Sequence, residues 1–395
     1  MFKSVIAALF LSAATAAAQD VSHVSTTIAQ TGLAATADSL QGATTPDDQM
    51  ALGAVLFLRG IETALQTRWR HSMTATGSFV PVLRLPVPPN PNPEPFAPGM
   101  VASLFTTLST NLADARVALE TITDTDQASL TLALDDLWFD IDMNGARGPR
   151  EGMLQIAGAS IGMRMPAVGT APTVRFDTAD AAWLAAYTHF LSAVGEVVLA
   201  FDPTEQIQRV QDASTAMAAL GGGSNYGNAY DMQFGTEIDL AAMAYFSLQQ
   251  QPDPAHTRAA RAHLLGMIRQ NRIFWARVDA ETDNFAEWIP NARQTSALGI
   301  TVPPETGATW QAVLADAEDL LEGRKLLPFW RMKTGAGINL KRLLDDPIPV
   351  DIVEWLHGIA LLRYAENGER VSIENWRLFR SLVRGDAMLF AIWLN

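Results

Sequence analysis

Apolar side chains recur along most of this chain at intervals of three and four residues, the spacing that puts them on one face of a helix. Leu52, Val55, Leu56, Ile61 and Leu65 form such a stripe after Pro46, Asp47 and Asp48, which predicts a helix from Pro46 to about residue 72. A second stripe over 99–122 runs through Leu104, Phe105, Leu108, Leu112, Ala115, Leu119 and Ile122. Asp177 is placed to cap a helix over 178–201 that turns Trp183, Tyr187, Phe190 and Val194 inward. Further helices are predicted over 203–220, 236–250, 254–279, 305–323, 349–366 and 372–393, with breaks at Pro252, Pro303, Pro304, Pro347 and Gly368. Leu130, Leu134, Leu137, Trp138 and Ile141 keep the helical spacing, as do Leu154, Ala157 and Ile161, and the two sets bracket a polar run. Strand-like alternation is nearly absent, with Val174 to Phe176 as a short extended piece. The expectation is an all-α, multi-helix globular fold without a solenoid repeat.

Some stretches depart from this pattern. Residues 81–98 hold eight prolines, each without an amide hydrogen and with a fixed φ, so neither a helix nor an interior strand forms there. An extended connector or a wrapped loop is expected, between a helical segment over 19–80 and a main helical domain over 99–395. Residues 20–45 read as a frayed helix or an arm, and 224–235 as an irregular loop. Residues 1–18 have the form of an export signal: Lys3, an apolar core from Val5 to Leu11, and Ala16 to Ala18 before Gln19. Its apolar part is too short to span a bilayer, and no later stretch reaches about 18 uninterrupted apolar residues. A periplasmic or secreted protein, not transmembrane once the signal is removed, is expected.

Composition narrows the picture further. With no cysteine, no disulfide framework exists, so the core must hold the exported chain together, helped by any bound metal. A formal charge of −14 argues against nucleic-acid binding, which requires a positive surface. Seven of the ten tryptophans lie in the last third, where packed aromatic anchors explain them best and a sugar-stacking surface is the alternative.

The polar run between the two stripes is the most informative stretch. Asp140, Asp142 and Asn144 fall on alternate residues, Gly145 follows, and Glu151 closes the run at its twelfth position. Alternate residues turn their oxygens inward, glycine permits a sharp turn, and a distant Glu adds two oxygens from the far side. The spacing resembles the calcium loop of EF-hand proteins, D-x-[DN]-x-[DN]-G-x5-E, at every specified position. The resemblance implies Ca2+ held by Asp140, Asp142 and Asn144, by the Ala146 carbonyl and bidentately by Glu151, with Gly148 able to offer only a water. It also implies a helix-loop-helix unit. Arg147 stands where EF-hands usually carry an aliphatic residue that pairs with a second loop, and no second loop exists; 279–287 is acidic but lacks the glycine.

Other candidates are weaker. Gly158, Ser160 and Gly162 match G-x-S-x-G, but the pattern needs a strand-turn-helix context and falls in a predicted helix. The six histidines form no zinc motif. Residues 256–277 carry five arginines and two histidines with no acid among them, a basic amphipathic helix that fits an acidic partner, a lipid surface, or the protein's own carboxylates. The sequence thus points to an exported calcium-binding helical protein with a binding or scaffolding role. The alternative is a helical hydrolase of glycan or cell-wall substrates that uses paired carboxylates.

Overall fold

The computed structural model describes residues 21–73, 80–158, 171–220, 229–285, 287–299 and 302–382. The segment read as an export signal, Ser160, Trp393 and the end of the last predicted helix lie outside them.

Helix α1 (His23–Ser39) occupies the expected frayed arm and bends at Gly32, whose φ is 78°. Trp138 packs against this bend. Its indole donates to the Ile28 carbonyl at 2.7 Å, and its ring lies where a Cβ on residue 32 would be 3.1 Å away. Helix α2 (Pro46–Arg70) starts as predicted, with Thr45 accepting from the Asp48 amide and Pro46 at the first position. The proline-rich stretch wraps back onto the end of α2. Arg68, buried in the core, donates to the carbonyls of Val82 and Leu85 at 2.8 and 2.7 Å, and the Glu94 amide donates to the Arg70 carbonyl.

Helix α3 (Met100–Leu119) leads to strand β1 (Ser129–Ala133), and the short helix α4 (Met153–Ala157) precedes strand β2 (Thr173–Asp177). The strands pair antiparallel, with Leu130 opposite Phe176 and Leu132 opposite Val174. A helix was expected ahead of the acidic loop, and here the structure corrects the sequence reading. Leu130, Leu132 and Leu134 are all buried, a period of two that the helical count of 130, 134 and 137 passed over. A two-stranded sheet lets that row reach the core while Thr131 stays at the surface side.

Helix α5 (Thr178–Ala200) packs between α3 and helix α8 (Pro254–Ala280), with α2 beyond α3. Asp177 caps α5 in a reciprocal capping box with Asp180. Small residues bring the helices close: a Cβ on Gly266 of α8 would sit 2.6 Å from the His189 ring on α5. By length and hydropathy α5 could cross a membrane; its central place in the bundle is a packing reason for that composition. Helices α6 (Thr204–Ala218) and α7 (Ala229–Leu248), which fall between α5 and α8 in chain order, pack on one another, and helix begins within the segment expected to be loop.

After α9 (Thr306–Leu321) a small cap follows: β3 (Ala336–Ile338), α10 (Leu340–Asp345), α11 (Ile352–His357), a 3-10 turn (Ala360–Tyr364) and β4 (Ala365–Asn367) paired with β3. The single helix expected over 349–366 is broken by Gly358, whose φ of 98° ends α11. Ile338, Leu361 and Tyr364 give the cap its own core. Helix α12 (Glu374–Leu382) returns to α9 and sets Phe379 against Trp310 with the rings tilted by 40°. The main core draws on residues from both sides of the proline-rich loop, from Ile28 to Phe379, and buries Trp138, Trp275, Trp288 and Trp310. The architecture is all-α apart from two short sheets.

Candidate metal centre

The acidic loop is closed at its base by two backbone hydrogen bonds, from the Phe139 amide to the Glu151 carbonyl and from the Met153 amide to the Leu137 carbonyl, each 2.8 Å. Within it the chain turns on Met143 and Gly145, both at positive φ (60° and 75°), the second of them the glycine the loop pattern demands. Asp140 accepts from the Gly145 amide at 3.1 Å, Asp142 from the Asn144 amide at 3.2 Å, and the Asn144 oxygen from the Ala146 amide at 2.7 Å. These contacts curl the loop inward.

Glu151 is the organising side chain. It is 3 % exposed, and one oxygen accepts from the amides of Ile141 and Asp142 at 2.9 and 3.3 Å while the other accepts from Gly148 at 2.6 Å. One carboxylate oxygen from each of Asp140, Asp142 and Glu151 lies within 4.8 Å of the other two. Two oxygens on opposite sides of a calcium ion, each about 2.3–2.6 Å from it, are separated by roughly 4.6–5.2 Å. Three hard anionic ligands within that span suit a hard divalent cation. Of the other expected ligands, Asn144 turns its oxygen toward the Ala146 amide and its nitrogen toward Asp142 at 2.9 Å. Arg147 donates to the Asp135 carbonyl, which takes its charge away from the three carboxylates.

Helix α2 holds the loop in place through two residues one turn apart. Glu62 accepts from the Asp140 amide at 2.7 Å, and Gln66 donates to the Asp140 carbonyl at 2.8 Å. Burial pushes the Glu62 carboxyl above its usual range, against the pull of the Asp140 amide and of its ion pair with Arg59. No local pattern marks these two residues, because their partner is more than 70 positions away. The signal available was a Glu set between Ile61 and Leu65 of the apolar stripe.

A second acidic group lies at the start of α5. Asp177, Glu281 and Glu287 bring carboxylate oxygens within 4.8 Å of one another, with Asp180 fully enclosed beneath them. Arg175 of β2 pairs with Asp283 at 3.1 Å and Asp177 at 3.5 Å. Burial, and then the neighbouring Asp177, push Asp180 well above the usual range and Glu281 up to about 7. Glu287 is raised too, again mainly by burial. The cluster edges a groove of about 880 Å³, whose walls include Asp126, Arg175, Arg277, Glu281 and Asp283. The acidic run over 279–287 was visible in the sequence, but its convergence with Asp177 required α5 and α8 to pack.

No known protein family, curated protein or solved structure matches this chain. The chemistry of the two sites rests on their own geometry.

The basic helix over 256–277 is largely accounted for inside the molecule. Arg272 meets Glu318 at 2.7 Å, Arg277 meets Asp124 at 2.8 Å, and Arg261 meets Asp345 at 3.4 Å. His256 meets Glu196 at 2.6 Å, and the Nδ1 atoms of His263 and His189 are 2.9 Å apart. Phe274 and Trp275, on its apolar side, are buried.

Proposed function

We propose that this chain is an exported, calcium-stabilised helical protein whose role is binding or scaffolding. The observation that carries the reading is the convergence of Asp140, Asp142 and Glu151 in a loop that matches the EF-hand spacing throughout. Calcium supplies the positive charge that lets three carboxylates share one focus, and it would tie the loop between β1 and α4. Glu151 and Asp140 hold the curled backbone, and Glu62 and Gln66 fix that loop to α2. Because Asn144 is engaged with the loop itself and no second loop pairs with this one, affinity should fall in the range of extracellular modules, about 10⁻⁴–10⁻³ M. That range suits an exported protein. Isothermal titration with calcium tests it. One site per chain, weakened at least tenfold by Asp142→Asn, is expected; no heat at millimolar calcium, or heat unchanged in the variant, would refute it.

The groove beside Asp177 and Glu281 favours a second reading, hydrolysis of a glycan or cell-wall substrate. A carboxyl pushed up to about 7 mainly by burial is suited to act as a general acid, and Asp177 and Glu287, each with an oxygen within 4.8 Å of it, are the neighbours that would complete a closely spaced retaining pair. Among the described residues no tryptophan lines the groove, and Trp275 and Trp288 are buried. Release of reducing ends from polysaccharide or peptidoglycan, abolished in Glu281→Gln, would establish it; equal release by both proteins would end it.

A further inference from the structure

Between α2, α5 and the β1–β2 pair the core is incompletely filled. A cavity of about 100 Å³ lies there, and its walls are apolar apart from Asp180. Leu130 and Leu132 of β1 line one part of it, and the rings of Phe57, Phe176, Trp183 and Trp288 line others. Trp288 stands 5.7 Å from Phe176 and 5.6 Å from Trp183, ring centre to ring centre. Empty space of this kind removes attractive contacts from every wall atom that faces it. One larger side chain would fill it, yet the wall positions Ala54 on α2 and Ala181 on α5 are both alanine. Room is left where packing alone favours bulk. Phe57, Leu58, Met153 and Leu184 are half-buried, which gives the cavity an opening toward solvent.

Two groups in the wall indicate the occupant. Trp288 is 5 % exposed, and its indole N–H is enclosed without an acceptor. A buried donor left unpaired costs free energy that an incoming oxygen can recover. Asp180 is buried as well and accepts the Asp177 amide on one oxygen at 3.0 Å. Burial, and then Asp177, hold its carboxyl well above the usual range, so the wall favours an uncharged carboxyl. An ion entering such a space would lose its hydration without compensation. An apolar cavity of about 150 Å³ admits benzene, and on that scale this one suits a ligand of about six non-hydrogen atoms.

We infer that this cavity binds a small uncharged ligand, a compact hydrocarbon bearing one carbonyl or ether oxygen, whose oxygen accepts from Trp288 while its apolar part lies against the leucines. A few placed polar groups in an otherwise apolar pocket are what orients such a molecule. The cavity shares no lining residue with the acidic groove. It is also distinct from the three carboxylates of the acidic loop, although Leu137 and Met153, whose backbone bond closes that loop, belong to its wall.

Headspace gas chromatography over solutions of the full chain tests the inference, with cyclopentanone as probe and methylcyclopentane as the hydrocarbon of equal atom count. EDTA is present throughout, so the outcome does not depend on whether the loop takes up an ion. Saturable uptake of one cyclopentanone per chain is expected. Trp288→Phe keeps an aromatic ring but removes the N–H, and should weaken cyclopentanone about three- to tenfold while changing methylcyclopentane less than about twofold. Ala54→Phe, at a half-buried position of the wall, should abolish uptake of both, with circular dichroism as the folding control for the two variants. No saturable uptake of cyclopentanone, uptake unaffected by Ala54→Phe, or a Trp288→Phe variant that loses both probes equally or neither would overturn the inference. So would tetramethylammonium binding more tightly than cyclopentanone in a calorimetric titration, because the rings would then form a cage for a cation.

Discussion

Glu151→Gln replaces one carboxylate oxygen with an NH2 group at a position enclosed by amide donors. In the wild type both oxygens are used, one by Ile141 and Asp142 and the other by Gly148. A glutamine can satisfy one side, and its NH2 then faces an N–H, so at least one buried amide loses its acceptor. Hydrogen bonds to a charged group contribute about 1.5–3 kcal/mol each, and the expected loss of stability without metal is about 2–4 kcal/mol. The metal contribution is distinct and reads out as linkage. At a calcium concentration a hundred times Kd, stabilisation is about 2.7 kcal/mol. For a chain of 395 residues, with an unfolding entropy of roughly 2.1 cal/mol/K per residue, that corresponds to a rise in Tm of about 3 °C. Scanning calorimetry with and without 10 mM calcium, with magnesium as the ionic-strength control, measures both quantities. The wild type should show the rise with calcium alone, and Glu151→Gln should melt lower and show none. Asp142→Asn, whose contacts are confined to Asn144, should keep the wild-type melting point without metal and lose most of the rise. An equal rise in all proteins, or none in the wild type, would refute the convergence argument.

Further expectations concern the elements that support the two acidic groups. Gln66→Ala leaves the Asp140 carbonyl without its side-chain donor, and urea titration should show a loss of about 1 kcal/mol with a weaker response to calcium. Glu281, held up to about 7 mainly by burial, binds its proton more tightly folded than unfolded, so its contribution to stability falls as pH rises from 4.5 to 7. After allowance for solvent screening at this part-exposed site the change is about 1–2 kcal/mol, and Glu281→Gln should flatten that part of a urea stability–pH curve. His263 has the opposite sign: burial, and then Arg116, lower it to about 4, so the unfolded chain takes the proton first and stability falls as pH drops from 6.5 to 4. Replacing His263 with Gln should remove that acid-side loss, also about 1–2 kcal/mol after screening. Gly266→Ala should lower stability by about 1–3 kcal/mol, because the new Cβ would meet the His189 ring at 2.6 Å; unchanged urea midpoints would show that the helices simply move apart.

Local rules determined a large share of this protein. Thr45 with Pro46, the Asp177 cap and the apolar stripes of α2, α3 and α5 are written in residues within a turn or two of one another, and the helices form where those signals stand. The curled acidic loop is equally local, since alternate carboxylates and one glycine suffice to bend the backbone. Other features depended on partners distant in sequence. The Leu130 to Leu134 segment fits helical or strand spacing, and only pairing with Thr173–Asp177 selects the strand. The bend of α1 is packed by Trp138, and the seat of the acidic loop awaits Glu62 and Gln66 on α2. The carboxylates at 177 and 281 meet across a groove that exists only once α5 and α8 have packed. Burial set by that packing, not residue type, moves Glu281 and His263 from their ordinary proton affinities. Short-range hydrogen bonding and periodicity can be read along a chain; desolvation and long-range convergence arise only when the chain has closed on itself.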